Sequence, residues 1–414
     1  MQIKSIKADW IADSELNKTV GVWIETDDGT FFGSAPQGTS DGDYEAVAAP
    51  VDEAVKNIRE IVPKLMLFDP SDLKTLDEYL VQLGGHQMQS FGGNASVALS
   101  SAWAKMAAHS KGVSVPEYLA EELGTRMRMP VPCFNIINGG LHGALDPSGK
   151  PYNPIQELML VPASAESFEE GYCMVMQVFK NLRNATGEAL VGKEGGFSPA
   201  QHLDWSIGKV KEAIEMSGYE TKDFRLALDC AASEFFKDGL YTPVAGDKQR
   251  NVEEMVEFYK GLISNSPIKV MSIEDPLDQN DFRGFAEVTK ALDGMMIVGD
   301  DLYVTQLERV KKGVEQKSTN AVLVKINQNG TVTGTLDTIR FGLENRLLHM
   351  ISHRSKRAPG DFIDAYLSVA VGQFIKHGSS RGERVEIYNE LLRIEREAKE
   401  MNRPLPYAGR SLVK

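Results

Sequence analysis

Six short apolar runs in the second half of the chain each finish at an ionisable residue. The runs are LALD, VMSIED, MIVGDD, AVLVK, LHMISHR and QFIK, and the residues at or near their ends are Asp229, Glu274, Asp300, Lys325, His353 with Arg354, and Lys376. One polar residue at a strand end usually marks only where the sheet meets water, but six in succession are improbable on that basis. In a barrel the carboxyl ends of the strands converge on one face, where catalytic groups sit. The pattern therefore predicts one site with three carboxylates, two lysines and a His-Arg pair.

Three carboxylates crowded together repel one another unless a cation neutralises them. Asp229, Glu274 and Asp300 offer only oxygen ligands, with no cysteine and no paired histidine spacing, which favours Mg²⁺ over zinc. A divalent cation facing Lys325 and Lys376 would disfavour their ammonium forms and lower their pKa values. A lysine that is neutral for this reason can act as a base.

Three segments before these runs carry further candidates. The glycine-rich loop at residues 138–153 holds His142, although a lone loop histidine is more often surface decoration than a catalytic group. The run IQELML places Gln156 and Glu157 within an apolar stretch, and GKEGGFSP places Glu194 before a double glycine. A double glycine fits a turn that brings the backbone close to a ligand.

The pattern of elements changes along the chain. After Pro130, apolar runs alternate with amphipathic helical stretches, which predicts βα units and a parallel sheet. A barrel fits better than an open sheet because no GxGxxG turn follows any run. The charged stretch that begins at ERVEIYN is expected to be a solvated outer helix.

The beginning of the chain predicts a different, α+β module. We expect an antiparallel meander with a hairpin turn at Asp28-Gly29, followed by helices at residues 43–62, 73–83 and 95–109, the last opening on an Asn N-cap. The fold class is therefore α/β, with an N-terminal α+β domain at residues 1–125 and a barrel domain at residues 126–414.

Composition limits the classes of function. The chain has 414 residues, 42% hydrophobic and 25% charged, which is typical of a soluble globular protein, and it contains no apolar run of about 18 residues as a membrane span requires. Its N-terminus lacks the apolar region of a secretory signal. Cys133, Cys173 and Cys230 have no metal-ligand spacing and suggest reduced thiols in the cytoplasm. The formal charge of -13 argues against nucleic acid as the main partner.

A series of motifs resembles the enolase family over nearly the whole chain. The motifs are FGGNASVALSSAWAKMAA, NIINGGLH, IQELMLVP, GKEGGFSP, LALDCAASEF, SIEDP, VGDDLYVT, LVKINQNGT, ISHRS and IYNELLRIE, in the family's order and spacing. The resemblance implies a TIM-like (β/α)8 barrel with an N-terminal α+β capping domain. It also implies two Mg²⁺ ions per active site and a Lys or His base that acts beside the metal.

The same resemblance implies a role for each candidate residue. Asp229, Glu274 and Asp300 would bind the high-affinity Mg²⁺, and Ser40 would ligate the second Mg²⁺. Lys325 would remove the C2 proton, Lys376 would neutralise the adjacent carboxylate, and Glu194, supported by Glu157, would protonate the departing C3 hydroxyl. Arg354 and Ser355 would hold the phosphate, and His142, Gln156 and His353 would enclose the substrate.

Four segments depart from the family pattern as it is usually written. DSRGNPT is replaced by ADSELNKTV at residues 12–20, VPSGAS reads APQGTS with Gln37, GDEGG reads GKEGG with Lys193, and SGETED reads SKRAPGD with Lys356 and Arg357. The two added cations follow the phosphate-binding residues directly. They indicate either a drifted loop or altered dimer contact, or a site for a larger or more anionic substrate.

The leading expectation is a phosphopyruvate hydratase that interconverts 2-phosphoglycerate and phosphoenolpyruvate in glycolysis. The alternative is an enolase-derived paralogue, such as a carboxyphosphonoenolpyruvate synthase of phosphonate biosynthesis, which the Lys356-Arg357 loop and the lost N-terminal motif favour. A non-enzymatic scaffold is disfavoured because a retired enzyme would be expected to lose these acids and lysines. In either enzyme the partner is a small anionic phosphorylated substrate, and a cytoplasmic homodimer or higher homo-oligomer is expected.

Overall fold

The computed structural model describes residues 1–38, 42–147, 149–187, 190–192, 194–243 and 248–413. The chain begins with an antiparallel sheet in the order β1-β2-β3, formed by β1 (Ile3–Ala12), β2 (Lys18–Thr26) and β3 (Thr30–Ser34). The β2–β3 turn is tight, because Thr26 N donates to Gly29 O at 2.8 Å. The hairpin predicted at Asp28-Gly29 is confirmed.

Four helices follow this sheet. They are α1 (Val51–Leu65), α2 (Leu73–Gly84), α3 (Gly93–Ser110) and α4 (Val115–Leu123). Helix α3 is buried along most of its length. It lies so close to β3 that a Cβ on Gly33 would stand 2.1 Å from the Ala98 carbonyl oxygen. The three strands and four helices form the predicted α+β module.

Two helix starts differ from the prediction. Helix α1 begins directly after Pro50 rather than at residue 43, because a proline disfavours helical backbone at the residue before it. Helix α3 begins at Gly93, so that Asn94 lies inside the helix and is not its N-cap. The Asn94 side chain instead accepts from Ala49 N at 3.0 Å and donates to Ala49 O at 2.8 Å, which joins the loop before α1 to α3.

Eight strands close into a barrel. They are β4 (Val131–Asn138), β5 (Glu157–Pro162), β6 (Phe224–Asp229), β9 (Val270–Glu274), β10 (Met296–Gly299), β11 (Ala321–Val324), β12 (Leu348–Ser352) and β13 (Phe374–Lys376), in the closed order β10-β11-β12-β13-β4-β5-β6-β9. A short hairpin, β7 (Phe236–Lys237) with β8 (Leu240–Tyr241), lies between β6 and β9. The six apolar runs are barrel strands as predicted, and the sequence pattern missed β4 and β5.

The expectation of an all-parallel sheet is wrong for β5, which runs antiparallel to both β4 and β6. The connection at residues 139–156 has, among its described residues, only a single helical turn at Gly140–His142 and lacks the α-helix that usually joins parallel neighbours. Reversal has a functional result. Glu157, the first residue of β5, pairs with Asp229, the last residue of β6, so it lies at the same end of the barrel as the carboxyl ends of the other strands.

Helices surround the barrel. They are α5 (Phe168–Thr186), α6 (Leu203–Met216), α7 (Val252–Asn265), α8 (Phe282–Ala291), α9 (Leu307–Gln316), α10 (Ile326–Asn329), α11 (Val332–Glu344), α12 (Ile363–Val371), α13 (Gly382–Glu400) and α14 (Gly409–Leu412). Helix α13 is the charged C-terminal helix, and it is only partly solvated because Arg384 and Tyr388 on its inner face are buried. In the part of the chain that the structure describes, no helix is both long and apolar enough to cross a membrane.

Candidate active site

The carboxyl ends of the barrel strands surround a polar cavity. Eleven of the predicted site residues line it: His142, Gln156, Glu157, Glu194, Asp229, Asp300, Lys325, His353, Arg354, Ser355 and Lys376. Glu274 lies directly beneath, in contact with Lys376. Ser40 and Lys193 lie outside the described residues, although Gly38, two residues before Ser40, lines the cavity.

Lys376, the last residue of β13, lies among three carboxylates. Its Nζ is 2.9 Å from Asp229 Oδ2, 2.8 Å from Glu274 Oε1 and 3.3 Å from Glu157 Oε2. Burial alone would lower the pKa of Lys376, but the carboxylates of Asp229, Glu157 and Glu274 outweigh burial and hold it well above its usual value. The side chain is therefore a buried, fixed positive charge at the centre of the site.

Lys325 follows β11 and forms an ion pair with Asp300, which follows β10. Burial works to lower the pKa of Lys325, and the Asp300 carboxylate more than offsets it, so the pKa is raised. The lowered lysine pKa values expected from the sequence depend on a bound divalent cation and stay a prediction. The two lysines thus approach the cavity from strands on opposite sides of β12.

The floor of the site is crowded with acids. Ligand atoms of Glu274, Asp275 and Asp300 lie within 4.8 Å of one another, and all three residues are buried. Burial, followed by the charge of Asp229, raises the pKa of Glu274 well above its usual value. Burial and the charge of Asp300 also raise the pKa of Asp301, to about 7. This repulsion is what a multivalent cation would relieve.

Asp275 holds two of these acids in place through their backbone. Its Oδ1 accepts from Asp300 N at 3.0 Å and its Oδ2 accepts from Asp301 N at 2.7 Å. Because both of its oxygens already accept from backbone donors, Asp275 is less available as a metal ligand than Glu274 and Asp300. A set of buried carboxylate oxygens without sulfur fits a hard cation such as Mg²⁺.

Glu194 and Glu157 form a second acidic pair with histidine neighbours. Glu194 Oε2 is 2.9 Å from His353 Nε2, its Oε1 accepts from Ser355 Oγ at 3.1 Å, and His142 Nδ1 lies 3.7 Å from Glu157 Oε1. Burial and the Glu194 charge raise the pKa of Glu157 well above its usual value, whereas the histidines outweigh burial and hold the pKa of Glu194 well below. Burial and the Arg384 charge lower the pKa of His353, and the Glu194 carboxylate opposes this lowering. Burial and charge repulsion thus favour the protonated form of Glu157, while the contacts of Glu194 favour its carboxylate.

The double glycine after Glu194 brings that residue into the cavity. Gly195 has φ +92, and a Cβ there would stand 2.6 Å from Ser380 N. The turn is closed by Gly192 N donating to Gly196 O at 2.7 Å, and Ser379 N donates to the Glu194 carbonyl at 3.0 Å. Glycine is required at residue 195 both for the left-handed backbone and for this close approach.

Comparison with known proteins agrees with the geometry. The family model described as Enolase, C-terminal TIM barrel domain, matches residues 126–414, and the model described as Enolase, N-terminal domain, matches residues 3–119. A protein named Enolase from Methanothrix thermoacetophila is 37% identical over 432 residues, which cover 99% of each chain. Another named Enolase, from Methanocaldococcus jannaschii, is 38% identical over 419 residues, which cover 96% of this chain and 95% of that one.

The chain belongs to the enolase family. It is an enolase-type lyase, and the family and the fold class expected from the sequence are confirmed. The boundary predicted between residues 125 and 126 and the individual residue roles stay predictions.

The sequence pattern of this enolase-family chain does not mark the residues that contact Arg354, Ser355 and Asp300. Arg354 NH1 donates to Glu45 Oε1 at 2.8 Å, in a segment that follows the N-terminal sheet. Arg384 on α13 donates to the carbonyl oxygens of Arg354 and Ser355, at 2.9 and 2.6 Å. Gln328 donates to Asp300 Oδ1 at 3.1 Å. No local signal marks these residues, apart from Arg384 lying beside apolar positions on the inner face of its helix.

The proposed substrate contact of the Lys356-Arg357 loop is wrong for Arg357. This guanidinium is 4% exposed, and its NH1 donates to Asp364 Oδ2 at 2.9 Å while its Nε lies 3.5 Å from Glu386 Oε1. It therefore has carboxylate partners and needs no substrate anion. Neither Lys356 nor Arg357 is among the described residues that line the cavity. The observation that favoured a paralogue with a second anionic substrate is lost for Arg357, and a Lys356 contact stays a prediction.

Proposed function

We propose that this enzyme interconverts 2-phosphoglycerate and phosphoenolpyruvate, the reaction of a phosphopyruvate hydratase. The observation that supports it best is the arrangement of Lys325 and the Glu157–Glu194 pair around one polar cavity, with Lys376 and a buried acid cluster between them. Elimination of water across a carbon–carbon bond needs a base on one side of the substrate and an acid on the other. The two relatives named Enolase, which match nearly the whole chain, support the same reaction.

Asp229, Glu274 and Asp300 would hold a Mg²⁺ ion, since all three are buried, Glu274 and Asp300 belong to one cluster of close ligand atoms, and the Asp229 charge raises the pKa of Glu274. When bound, Mg²⁺ supplies positive charge that engages Asp300, lowers the pKa of Lys325 and stabilises the negative charge that develops on the substrate carboxylate. A second Mg²⁺ at Ser40 lies outside the described residues and stays a prediction.

The proton at C2 of 2-phosphoglycerate moves to Nζ of Lys325. Its electron pair is accommodated by the adjacent carboxylate, which gains a second negative charge. Lys376, a permanent buried cation, faces that carboxylate and lowers the energy of the intermediate, because charge stabilisation in a desolvated site is stronger than in water. Lys376 thus stays protonated throughout while Lys325 gains and loses a proton.

The C3 hydroxyl then leaves as water. The proton that it needs would come from Glu194, supported by Glu157, whose protonated form is favoured by burial and by the Glu194 charge. A C2–C3 double bond forms as the C3–O bond breaks, and the product is phosphoenolpyruvate. His142, Gln156 and His353 line the cavity around this acid pair and would enclose the substrate.

The phosphate would bind Arg354 and Ser355. Arg presents a planar fork of donors that suits phosphate, and Arg384 fixes the backbone of both residues. A cytoplasmic location agrees with three free cysteines in the chain. Participation in glycolysis and assembly as a homodimer stay predictions.

Deuterium exchange tests the assignment of base and acid separately. The Lys325→Ala variant should form no phosphoenolpyruvate from 2-phosphoglycerate in Mg²⁺ buffer and should not exchange the C2 proton with D₂O. Glu194→Gln should block formation of phosphoenolpyruvate but retain some exchange, because the proton is removed before the hydroxyl leaves. Lys311→Ala, an exposed lysine paired with Glu308, serves as the control. Exchange at the wild-type rate in Lys325→Ala would assign the base elsewhere, and a wild type inert on 2-phosphoglycerate would refute the proposed reaction.

A further inference from the structure

Gln328 lies between the two halves of the active site. It belongs to the short helix α10, directly after Lys325, and it is fully buried. Its Nε2 donates to Asp300 Oδ1 at 3.1 Å and to Glu45 Oε1 at 3.2 Å. Glu45 Oε1 in turn accepts from Arg354 NH1 at 2.8 Å. One amide group therefore connects an acid of the proposed metal site to the guanidinium of the proposed phosphate site.

The orientation of this amide is determined by Thr305. The Thr305 hydroxyl accepts from Lys325 N at 2.9 Å, so its own proton is free to be donated to Gln328 Oε1, also at 2.9 Å. With Oε1 used as an acceptor, the NH₂ group must face the two carboxylates. An amide is suited to this position because it offers two donors without adding charge.

Glu45 brings the N-terminal segment into the same network. Its carboxylate is 6% exposed and also accepts from Gly42 N at 3.1 Å. Ala46 N donates to the Gln328 carbonyl oxygen at 2.9 Å, which fixes the segment to α10 through the backbone. The segment that contains Glu45 is thus held against the barrel at the point where the anion-binding arginine lies.

We propose that Gln328 is a positioning residue that couples the metal site to the anion site through the chain Asp300–Gln328–Glu45–Arg354. This inference rests on the proposed function for the assignment of Asp300 and Arg354. Without the two amide donors, Asp300 and Glu45 would each lose a buried hydrogen bond, and both would be free to turn. Asp300 would then bind Mg²⁺ less well, and Glu45 would hold Arg354 in a geometry less suited to phosphate.

Calorimetric titration of the purified full-length protein tests the coupling without turnover. The variant is Gln328→Met, which keeps the length of the side chain and removes both donors, and the probes are Mg²⁺ alone and inorganic phosphate alone. We expect Mg²⁺ affinity to fall about 10- to 100-fold, as is typical when a group that supports a metal ligand is lost. We expect phosphate affinity to fall roughly 2- to 30-fold.

Gln306→Met is the matched control. Gln306 Nε2 donates to the Gln328 carbonyl oxygen at 2.8 Å, so this variant removes a hydrogen bond from the same helix without touching either carboxylate. It should leave both affinities at the wild-type values. Loss of both affinities in Gln328→Met, with a native circular dichroism spectrum, supports the coupling.

Unchanged Mg²⁺ affinity in Gln328→Met would overturn the proposal, and so would a loss confined to one of the two ligands. If Gln328→Met does not fold, Thr305→Val provides the second test, because it keeps Gln328 and removes the hydroxyl that donates to Gln328 Oε1 and accepts from Lys325 N. Wild-type affinities in Thr305→Val would then overturn the proposal, and weakening of both ligands would support it. A wild type that binds both probes but forms no phosphoenolpyruvate would refute the proposed function and leave the coupling intact.

Discussion

Replacing Arg357 by Met distinguishes a structural role from a substrate-binding role for the unusual loop. The change removes a buried charge while keeping an unbranched side chain of similar length. In its absence, the nearest other basic group to Asp364 among the described residues is His377, whose Nε2 is 3.8 Å from Asp364 Oδ2. In the wild type, burial and, to a lesser extent, the Arg357 charge lower the pKa of His377 to about 4, so the ring beside Asp364 is neutral at pH 7.

The expected loss of unfolding free energy in Arg357→Met follows from the buried carboxylate that the variant leaves without its ion-pair partner. The Asp364 side chain is 9% exposed, whereas Glu386, the other carboxylate near Arg357, is 24% exposed and can be hydrated. Breaking a buried ion pair by removing one partner costs about 3–5 kcal/mol. We therefore expect Arg357→Met to lose about 3–5 kcal/mol of unfolding free energy, measured by urea denaturation with tryptophan fluorescence. KM and kcat for 2-phosphoglycerate should stay at the wild-type values.

Two further variants control this experiment. In Arg357→Met with Asp364→Asn, the uncompensated charge is gone, and most of the stability should return because replacing both members of a buried pair costs far less than removing one. Lys356→Met removes the neighbouring cation and should change stability by no more than about 0.5 kcal/mol, as for most surface substitutions. An Arg357→Met protein with wild-type stability and a strongly raised KM would refute the structural reading and restore the substrate contact.

Two other predictions concern metal binding and pH. Asp300→Asn should weaken Mg²⁺ binding by at least about tenfold in calorimetry with the fold retained, because a metal ligand is at least as important as the residues that support it. Asp337→Asn, which changes an exposed carboxylate, is the control. Unchanged Mg²⁺ affinity in Asp300→Asn would remove Asp300 from the metal site. Burial raises the pKa of Asp77, on α2 against the start of α11, from 3.8 to about 6. The native state therefore binds this proton more tightly than the unfolded state, and stability is lost as pH rises from about 4 to about 6, by up to about 3 kcal/mol. Asp77→Asn should be the more stable protein at pH 7 in urea denaturation, and its advantage should disappear at pH 4; an advantage independent of pH would contradict this assignment.

The strand-end residues could be predicted because a local pattern carries them. Asp229, Glu274 and Lys376 each end a buried apolar run, and barrel geometry brings such ends together without further information. The order of acidic and basic residues at these strand ends was enough to indicate a metal site and a catalytic base. The first residues of helices were less predictable from the spacing of apolar residues. Pro50 delays the start of α1, and the Asn94 side chain bonds to the loop before α1 instead of capping α3.

The remaining site contacts are long-range, and a single sequence does not contain them. Glu157 faces the cavity only because β5 is reversed, which depends on how the chain returns after β4. Glu45 and Arg354 are separated by 309 residues, yet they form a buried ion pair. Arg357 contacts Asp364, only 7 residues away, and Glu386 on α13, but the sequence does not show that its guanidinium turns towards them. The substrate contact expected for Arg357 failed for this reason.

Three of the segments that depart from the family pattern meet one another in space. Ser14 N donates to the Arg357 carbonyl oxygen at 2.8 Å, and Arg357 N donates to Ser14 Oγ at 3.3 Å. Gln37 and Lys356 exchange two backbone hydrogen bonds, of 2.8 and 3.0 Å. Changes at residues 12–20, at Gln37 and at 356–357 therefore belong to one contact between the N-terminal module and the loop after β12.

A single rearranged contact explains these departures better than three independent changes in substrate recognition. The Arg357 side chain stabilises the contact by donating hydrogen bonds to Asp364 and to the Asp361 carbonyl oxygen, and the Arg357 carbonyl oxygen accepts from Ser14 N. Asp361 in turn accepts from Ser34 N at 2.8 Å and pairs with Lys105 on α3. The loop thus connects barrel to N-terminal module through buried charges of both signs. The Arg357 charge is thus neutralised within the protein, while Arg354 and Ser355 line the cavity.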